Sequence, residues 1–339
     1  MKKQIERTTP ADDVLNLLRA YLPAAALGAA LELGLFWWVA EEPRTVEEVS
    51  TQLGVPYERC RAWLELLTAA GLLLREQGAY TLSKLSRTQI LDAYSRETWQ
   101  LLAQEARERY LAGHDLTLHL GYPGSVWQAQ GAATPDYVAR MQADPEQARR
   151  FTRMSHELNL PVARELAQVL DLAGVRRVLD LGGGSGVVSL ALLRVHPHLT
   201  ALVLDIATVC TVGREIADTT PERARIAYHA ADFHHDELPA GFDLVVESKV
   251  GVYEVSLFTK IAHALNDGGR LVIVDELVKG DADVTPARLT YAFLNALQDP
   301  AFFLPSTGEV WERVVAAGFR PVAERHLSTG ETVIEARKE

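Results

Sequence analysis

The chain has 339 residues, 48% of them hydrophobic, and a formal net charge of −11. That length points to two domains with a substantial core, and the acid excess, without any Lys- or Arg-rich stripe, argues against a nucleic-acid partner. Its two cysteines, Cys60 and Cys210, lie far apart and read as free thiols of a reducing, cytoplasmic compartment, and no Cys/His spacing suggests a metal.

Residues 1–13 are polar and lack the apolar core of a signal peptide. Residues 22–40 are almost entirely apolar and near membrane-span length, but Glu32 interrupts them, Gly28 and Gly34 weaken the pattern, and no basic flank orients them. They predict a buried helix and no membrane association. Thr45 and Glu48 have capping-box spacing and open a helix that ends at Gly54. A further helix starts at Pro56-Tyr57, shows an apolar face of Cys60, Trp63, Leu64 and Leu67, and stops at Gly71. Residues 72–74 and 79–82 flank Gln77-Gly78 as a hairpin. This order suggests a mostly α winged-helix domain over residues 1–100. Its second helix carries Glu58, Arg59, Arg61 and Glu65, a balanced set that does not displace counterions from DNA.

Residues 101–165 read as a helical linker. A charged amphipathic helix spans 101–111, 113–127 is loop-like, and 148–158 is helical with Phe151, Met154, Ser155 and His156.

From residue 166 to 339 the pattern is that of an α/β, Rossmann-like doubly wound sheet. An apolar strand ends in Asp180-Leu181-Gly182-Gly183-Gly184-Ser185-Gly186, and a helical pattern follows at once. Gly182, Gly184 and Gly186 are spaced one residue too tightly for the dinucleotide fingerprint. Asp180 beside the loop would repel a pyrophosphate but welcome a sulfonium or an ammonium, which favours S-adenosylmethionine. A second strand ends at Asp205-Ile206, 19 residues after Gly186, where a carboxylate can accept from ribose hydroxyls. A third leads to Asp232-Phe233, an acceptor for an adenine amino group and an aromatic lining for its ring. The fourth runs to Glu247 and opens onto Ser248-Lys249. Asn266-Asp267-Gly268-Gly269 makes a turn into a fifth strand, 270–274. Thr285-Pro286 caps a helix bearing Phe293, Phe302 and Phe303 follow it, and Ser306 and Glu309 form a second capping box.

The glycine loop, Asp205, Asp232-Phe233 and Asp267-Gly268-Gly269-Arg270-Leu271 together resemble the class I S-adenosylmethionine-dependent methyltransferases. More narrowly, the chain is similar to the small-molecule O-methyltransferase family. That resemblance implies a homodimer through the N-terminal domain and a small-molecule, largely aromatic acceptor methylated at oxygen or carbon. It makes Asp180, Gly182, Gly184, Gly186, Asp205, Ile206, Asp232, Phe233, Ser248 and Lys249 the candidate cofactor residues. Met154, Ser155, Phe293, Phe302 and Phe303 become the candidate acceptor residues. The family's base is a histidine in a His-Asp-Trp step after the fourth strand. Here that stretch reads Ser248-Lys249-Val250-Gly251-Val252-Tyr253-Glu254, with no histidine. Tyr253 and Glu254 are the nearest titratable groups and stand as candidate catalytic residues. His114, His119, His156 or His234 reaching in from elsewhere, or an acceptor needing no strong base, are the alternatives. Two other readings stay open: a fold relative that binds the cofactor without methylating, and a winged-helix regulator.

Overall fold

The computed structural model describes residues 12–134, 136–279, 285–302 and 304–339. The chain divides into two compact units, Met1–Asp115 and Leu116–Glu339.

In the first unit, α1 (Asp12–Arg19), α2 (Tyr21–Leu33) and α3 (Leu35–Glu41) lead to β1 (Arg44–Thr45), α4 (Val46–Leu53) and α5 (Tyr57–Ala69). The strands β2 (Leu73–Glu76) and β3 (Ala79–Leu82), a turn of helix α6 (Lys84–Ser86) and the long α7 (Arg96–His114) complete it. Thr45 caps α4 as its spacing predicts. The Glu48 N–H donates to Thr45 Oγ1 at 3.3 Å, and the Thr45 N–H donates back to the Glu48 carboxylate at 2.7 Å. Phe36, Val49, Cys60, Leu64, Leu67, Leu73 and Tyr80 form the core, beside the antiparallel sheet β1-β3-β2.

The apolar run over 22–40 is not one buried helix. It breaks at Gly34, whose φ of 74° belongs to the left-handed region and whose missing Cβ leaves room for the Arg96 guanidinium. Of α2, Ala30 and Leu31 are buried, whereas Leu17, Leu18, Tyr21 and Leu22 stand exposed. By length and composition Asp13–Leu33 could cross a membrane, and it is the single such stretch among the described residues. α7 starts earlier than expected and lies along α2. Gln100 Nε2 donates to the Glu32 carbonyl at 3.0 Å, and Arg107 meets the Glu32 carboxylate through two bonds of 3.1 Å. The break between units therefore falls after this helix, at Asp115, and not at residue 100.

The second unit begins with α8 (Leu116–His119) and α9 (Val126–Ala129), two short helices in the stretch read as loop, then α10 (Tyr137–Ala143) and α11 (Pro145–Val169). The sheet follows as β4 (Arg177–Leu181), α12 (Val187–Val195), β5 (Thr200–Asp205), α13 (Ala207–Ala217), β6 (Ile226–Ala230), β7 (Phe242–Ser248), α14 (Val255–Ala264) and β8 (Leu265–Asp275). The chain ends with α15 (Pro286–Gln298), α16 (Thr307–Ala316), β9 (Phe319–His326) and β10 (Thr332–Lys338). Among the described residues the strands form one seven-stranded sheet in the order β6-β5-β4-β7-β8-β10-β9. The pairs among β4 to β8 are parallel, while β10 runs antiparallel to both β8 and β9. Asn266-Asp267-Gly268-Gly269 belongs to β8 and is not a separate turn before it.

The central strands are apolar because helices cover both faces. Leu244 and Val246 of β7 join a layer with Leu166, Leu192 and Val272, while Val245 faces a second layer with Leu179, Phe258, Ile261 and Leu271. Strand order reverses between β4 and β7, and a crevice outside their carboxyl ends is where such sheets bind ligands.

Candidate active site

Asp180 lies beneath the glycine loop and not in the open crevice. It is 1% exposed, and its Oδ2 accepts from the Ser189 N–H (3.2 Å) and hydroxyl (2.7 Å) at the start of α12. Burial pushes its carboxyl up to about 6 against the pull of those two bonds. Its Oδ1 is buried without a partner in the structure. A Cβ on Gly183 would collide with this carboxylate, so loop and acid are packed as one piece. The reading that places Asp180 against the ligand is corrected to a support role from below, with one oxygen to spare.

Above it the loop turns through left-handed residues at Gly182, Gly184 and Gly186. Gly184 has φ 59° and open space where a side chain would stand, a cradle that an L-residue would strain and fill. Its N–H donates to Asp205 Oδ2 at 2.8 Å, and Asp205 Oδ1 accepts from the Ile206 N–H at 2.7 Å. Burial raises the Asp205 carboxyl despite these bonds. Ile206 itself is covered by Met141, Ala148 and Phe151 of α10 and α11.

Asp232 sits half-buried at the turn after β6, its Oδ1 accepting from the His234 N–H at 3.0 Å. Phe233 reaches the glycine loop, 3.6 Å from where a Gly182 Cβ would be. Sequence spacing does not reveal what fixes this turn. Lys260 of α14 donates to the carbonyls of Phe233, His234 and Asp236 at 3.2, 3.1 and 3.0 Å. Two tyrosines were equally invisible. Tyr228 donates to the Ser185 carbonyl at 2.8 Å, and Tyr137 stacks edge-on against Phe151, close enough to Asp205 to feel its charge. Both carry an ordinary strand or helix signal, and only the fold brings them to the loop.

Beside the loop lies a cavity of about 450 Å³, a size that suits a small organic ligand. Val250 lines it and also touches the glycine loop, 2.8 Å from the Gly182 Cβ position. Tyr253, Asp275, Tyr291 and Phe302 are among its other lining residues. Tyr253 is not a base. Its buried hydroxyl donates to Asp275 Oδ2 at 2.5 Å, and burial together with that carboxylate pushes its ionisation far above the usual phenol range. Asp275 is the carboxylate that receives this bond. Burial raises it, the Tyr253 bond and the Glu276 N–H at 2.7 Å pull it back, and it faces the cavity at the end of β8. Glu254 is exposed at the start of α14, where its Oε2 accepts from Ser256 Oγ at 3.0 Å.

Behind this pair stands Glu247, 1% exposed. Burial first, and the Asp275 charge second, raise its ionisation well above the ordinary carboxylate range, against the Val252 backbone N–H, which favours its charged form. Ser248 lies at the end of β7. Lys249 has φ 55° and bonds Glu331 at 2.7 Å, with Glu276 at 3.6 Å, so its ammonium is directed at the start of β10.

The other acceptor candidates are scattered. Phe302 lines the cavity, Phe293 is exposed on α15, and Phe303 lies outside the described residues. Met154 is buried on α11, and Ser155 accepts from Asn159 Nδ2. His156 Nδ1 lies 3.0 Å from Ser185 Oγ in the glycine loop, and His234 stacks on Phe233; neither lines the cavity.

Sheet order, glycine loop and strand-end acids together define an S-adenosylmethionine-dependent methyltransferase. The residues present fit that cofactor: the open cradle at Gly184, the Asp205 carboxylate at the loop's edge and the Phe233 ring all border the glycine loop, with Asp180 bracing it from below. Comparison with known proteins narrows the class. Residues 124–318 match the O-methyltransferase domain family and residues 15–91 the O-methyltransferase dimerisation domain. The chain belongs to this family and is a methyltransferase. It is 30% identical to the N,N-dimethyltransferase OxyT of Streptomyces rimosus over 78% of each chain. It is 28% identical to the L-tyrosine C(3)-methyltransferase of Streptomyces lavendulae, over 87% of this chain and 83% of that one. Human N-acetylserotonin methyltransferase, solved in complex with SAM, has the same fold at a TM-score of 0.82 and 20% identity, covering 98% and 99% of the two chains.

Proposed function

We propose that the cavity beside Val250 receives a small aromatic metabolite, which is methylated with Asp275 as its proton acceptor. Bound S-adenosylmethionine supplies a methyl group on a cationic sulfur, reactive enough that the protein's part is placement and proton removal. Asp205 takes the ribose hydroxyls, Asp232 and Phe233 the adenine, and the loop at Gly182, Gly184 and Gly186, braced by Asp180, the methionine end. Ile206 and Ser248 flank the nucleoside. Tyr291 and Phe302, 6.0 Å apart and nearly perpendicular, offer flat apolar faces to an aromatic acceptor. The relatives named above methylate nitrogen in one case and an aromatic carbon in another, so the cavity wall, not the fold, selects the atom.

One observation carries this reading. A single side chain, Val250, forms part of both the cavity wall and the packing around the cofactor loop. Incubation with S-adenosylmethionine and a panel of phenolic, anilinic and polycyclic compounds tests it, with S-adenosylhomocysteine release as readout. Turnover with at least one compound, weakened cofactor binding by Asp205→Ala of several-fold and loss of turnover in Asp275→Asn are expected. Cofactor binding without any transfer would instead favour a member that no longer methylates.

The first unit, with two helices followed by a hairpin, reads as a winged helix that joins two copies of the chain. Its match to a dimerisation domain and the exposed apolar residues of α1 and α2 support that homodimer. Free Cys60 and Cys210 suit a cytoplasmic setting.

A further inference from the structure

The charges around the cavity are unbalanced. Asp275, Glu276 and Asp299 line it against Lys249 and Arg313. Lys249 is shared by Glu331 at 2.7 Å and Glu276 at 3.6 Å, which leaves Asp275 and Asp299 facing Arg313, whose Nη1 donates to the Tyr253 carbonyl at 3.2 Å. Both Asp275 oxygens already accept one bond each, from Tyr253 and from the Glu276 N–H, and a carboxylate has room for further donors. An incoming phenolate would meet repulsion here, whereas a cation would be drawn in. The aromatic faces agree, because the π-faces of Tyr291 and Phe302 attract an ammonium as readily as they pack a ring.

We infer that the acceptor is an amine: it enters the cavity as an ammonium seated on Asp275, beside the Tyr291 and Phe302 rings, and its nitrogen takes the methyl group. This rests on the reading of the cavity as the acceptor chamber. The ammonium proton passes to an Asp275 carboxylate oxygen, which frees the nitrogen lone pair. That pair forms the new nitrogen–carbon bond of the methyl transfer, and the carbon–sulfur pair leaves with sulfur. Asp275 then returns its proton to solvent. Tyr253 holds Asp275 in place through both protonation states, since its own proton does not leave.

The test uses the full chain saturated with S-adenosylhomocysteine and two probes of one shape, 1-naphthylmethylamine and 1-naphthalenemethanol, titrated by calorimetry. The amine should bind about tenfold more tightly, a difference of about 1.4 kcal/mol, and Asp275→Asn should bring the two together. Equal binding, preference for the alcohol, or binding of neither overturns the inference. The wild-type pair decides this even where the variant fails to fold. A parallel titration with S-adenosylmethionine alone separates the two levels. No cofactor binding removes the reading of the whole site, whereas cofactor binding without amine preference removes only the amine.

Discussion

The proposed reaction asks Asp275 to carry a negative charge in a place where burial discourages one, and the Tyr253 hydroxyl bond favours that charge. The hydroxyl bond lowers the Asp275 ionisation, so Tyr253→Phe raises it. If the ionised carboxylate is the proton acceptor, as proposed, the acidic limb of the pH–rate profile should move to higher pH, with kcat reduced more than KM. An unmoved limb would separate Asp275 from the proton transfer. Glu247 shows the opposite economy. Its folded ionisation lies well above the unfolded value, so between the two the native state binds more protons than the unfolded one, and stability falls as pH rises. Glu247→Gln removes that slope. Calorimetric melts should show the variant gaining over the native chain at pH 8 and gaining less at pH 5. Asp180 follows the same sign. Its shift from 3.8 to about 6 corresponds to roughly 3 kcal/mol lost as pH rises through that window. The sequence located Tyr253 as the nearest titratable group, yet its role follows from a partner 22 residues away on another strand. No local pattern carries that distance.

At the level of elements, local signals were the readable ones. Thr45 with Glu48 and Ser306 with Glu309 cap α4 and α16 as their spacing requires, and the glycine loop joins β4 to α12 where the strand pattern stops. Each rests on residues within one turn of one another. What failed was non-local. The apolar run over 22–40 bends at Gly34 because Arg96, 62 positions later, occupies the space a side chain would need. The turn at Phe233 is likewise set by a distant helix, since one ammonium of α14 gathers three carbonyls. Lys260→Met should loosen the adenine side of the crevice. Calorimetry should record several-fold weaker binding of S-adenosylmethionine, with little change in the melting temperature. Unchanged affinity would show that the turn holds its shape unaided.

The whole molecule raises the question of what covers α1 and α2. Leu17, Leu18, Tyr21 and Leu22 expose more apolar surface than scattered side chains account for, and the dimerisation match covers most of this segment. A Leu17→Glu, Leu18→Glu double variant should sediment as a monomer at concentrations where the native chain is dimeric. A native chain that sediments as a monomer would rule the homodimer out. Both units were visible in the sequence from helix order and strand patterning. Their boundary was not, because α7 reads as a linker by composition and is held to the first unit by contacts with Glu32.

The placement of β10 bears on how the protein is made. The chain's last strand lies between β8 and β9, and Glu331, immediately before it, holds the Lys249 ammonium beside the acceptor cavity. During folding β8 therefore keeps one edge bare, open to non-native pairing until β10 inserts beside it. The Glu331–Lys249 pair at the cavity wall forms in the same event that seals the sheet. Loss of β10 would bare the β8 edge and release Lys249 from Glu331 at one stroke, so a variant lacking residues 331–339 should aggregate on refolding.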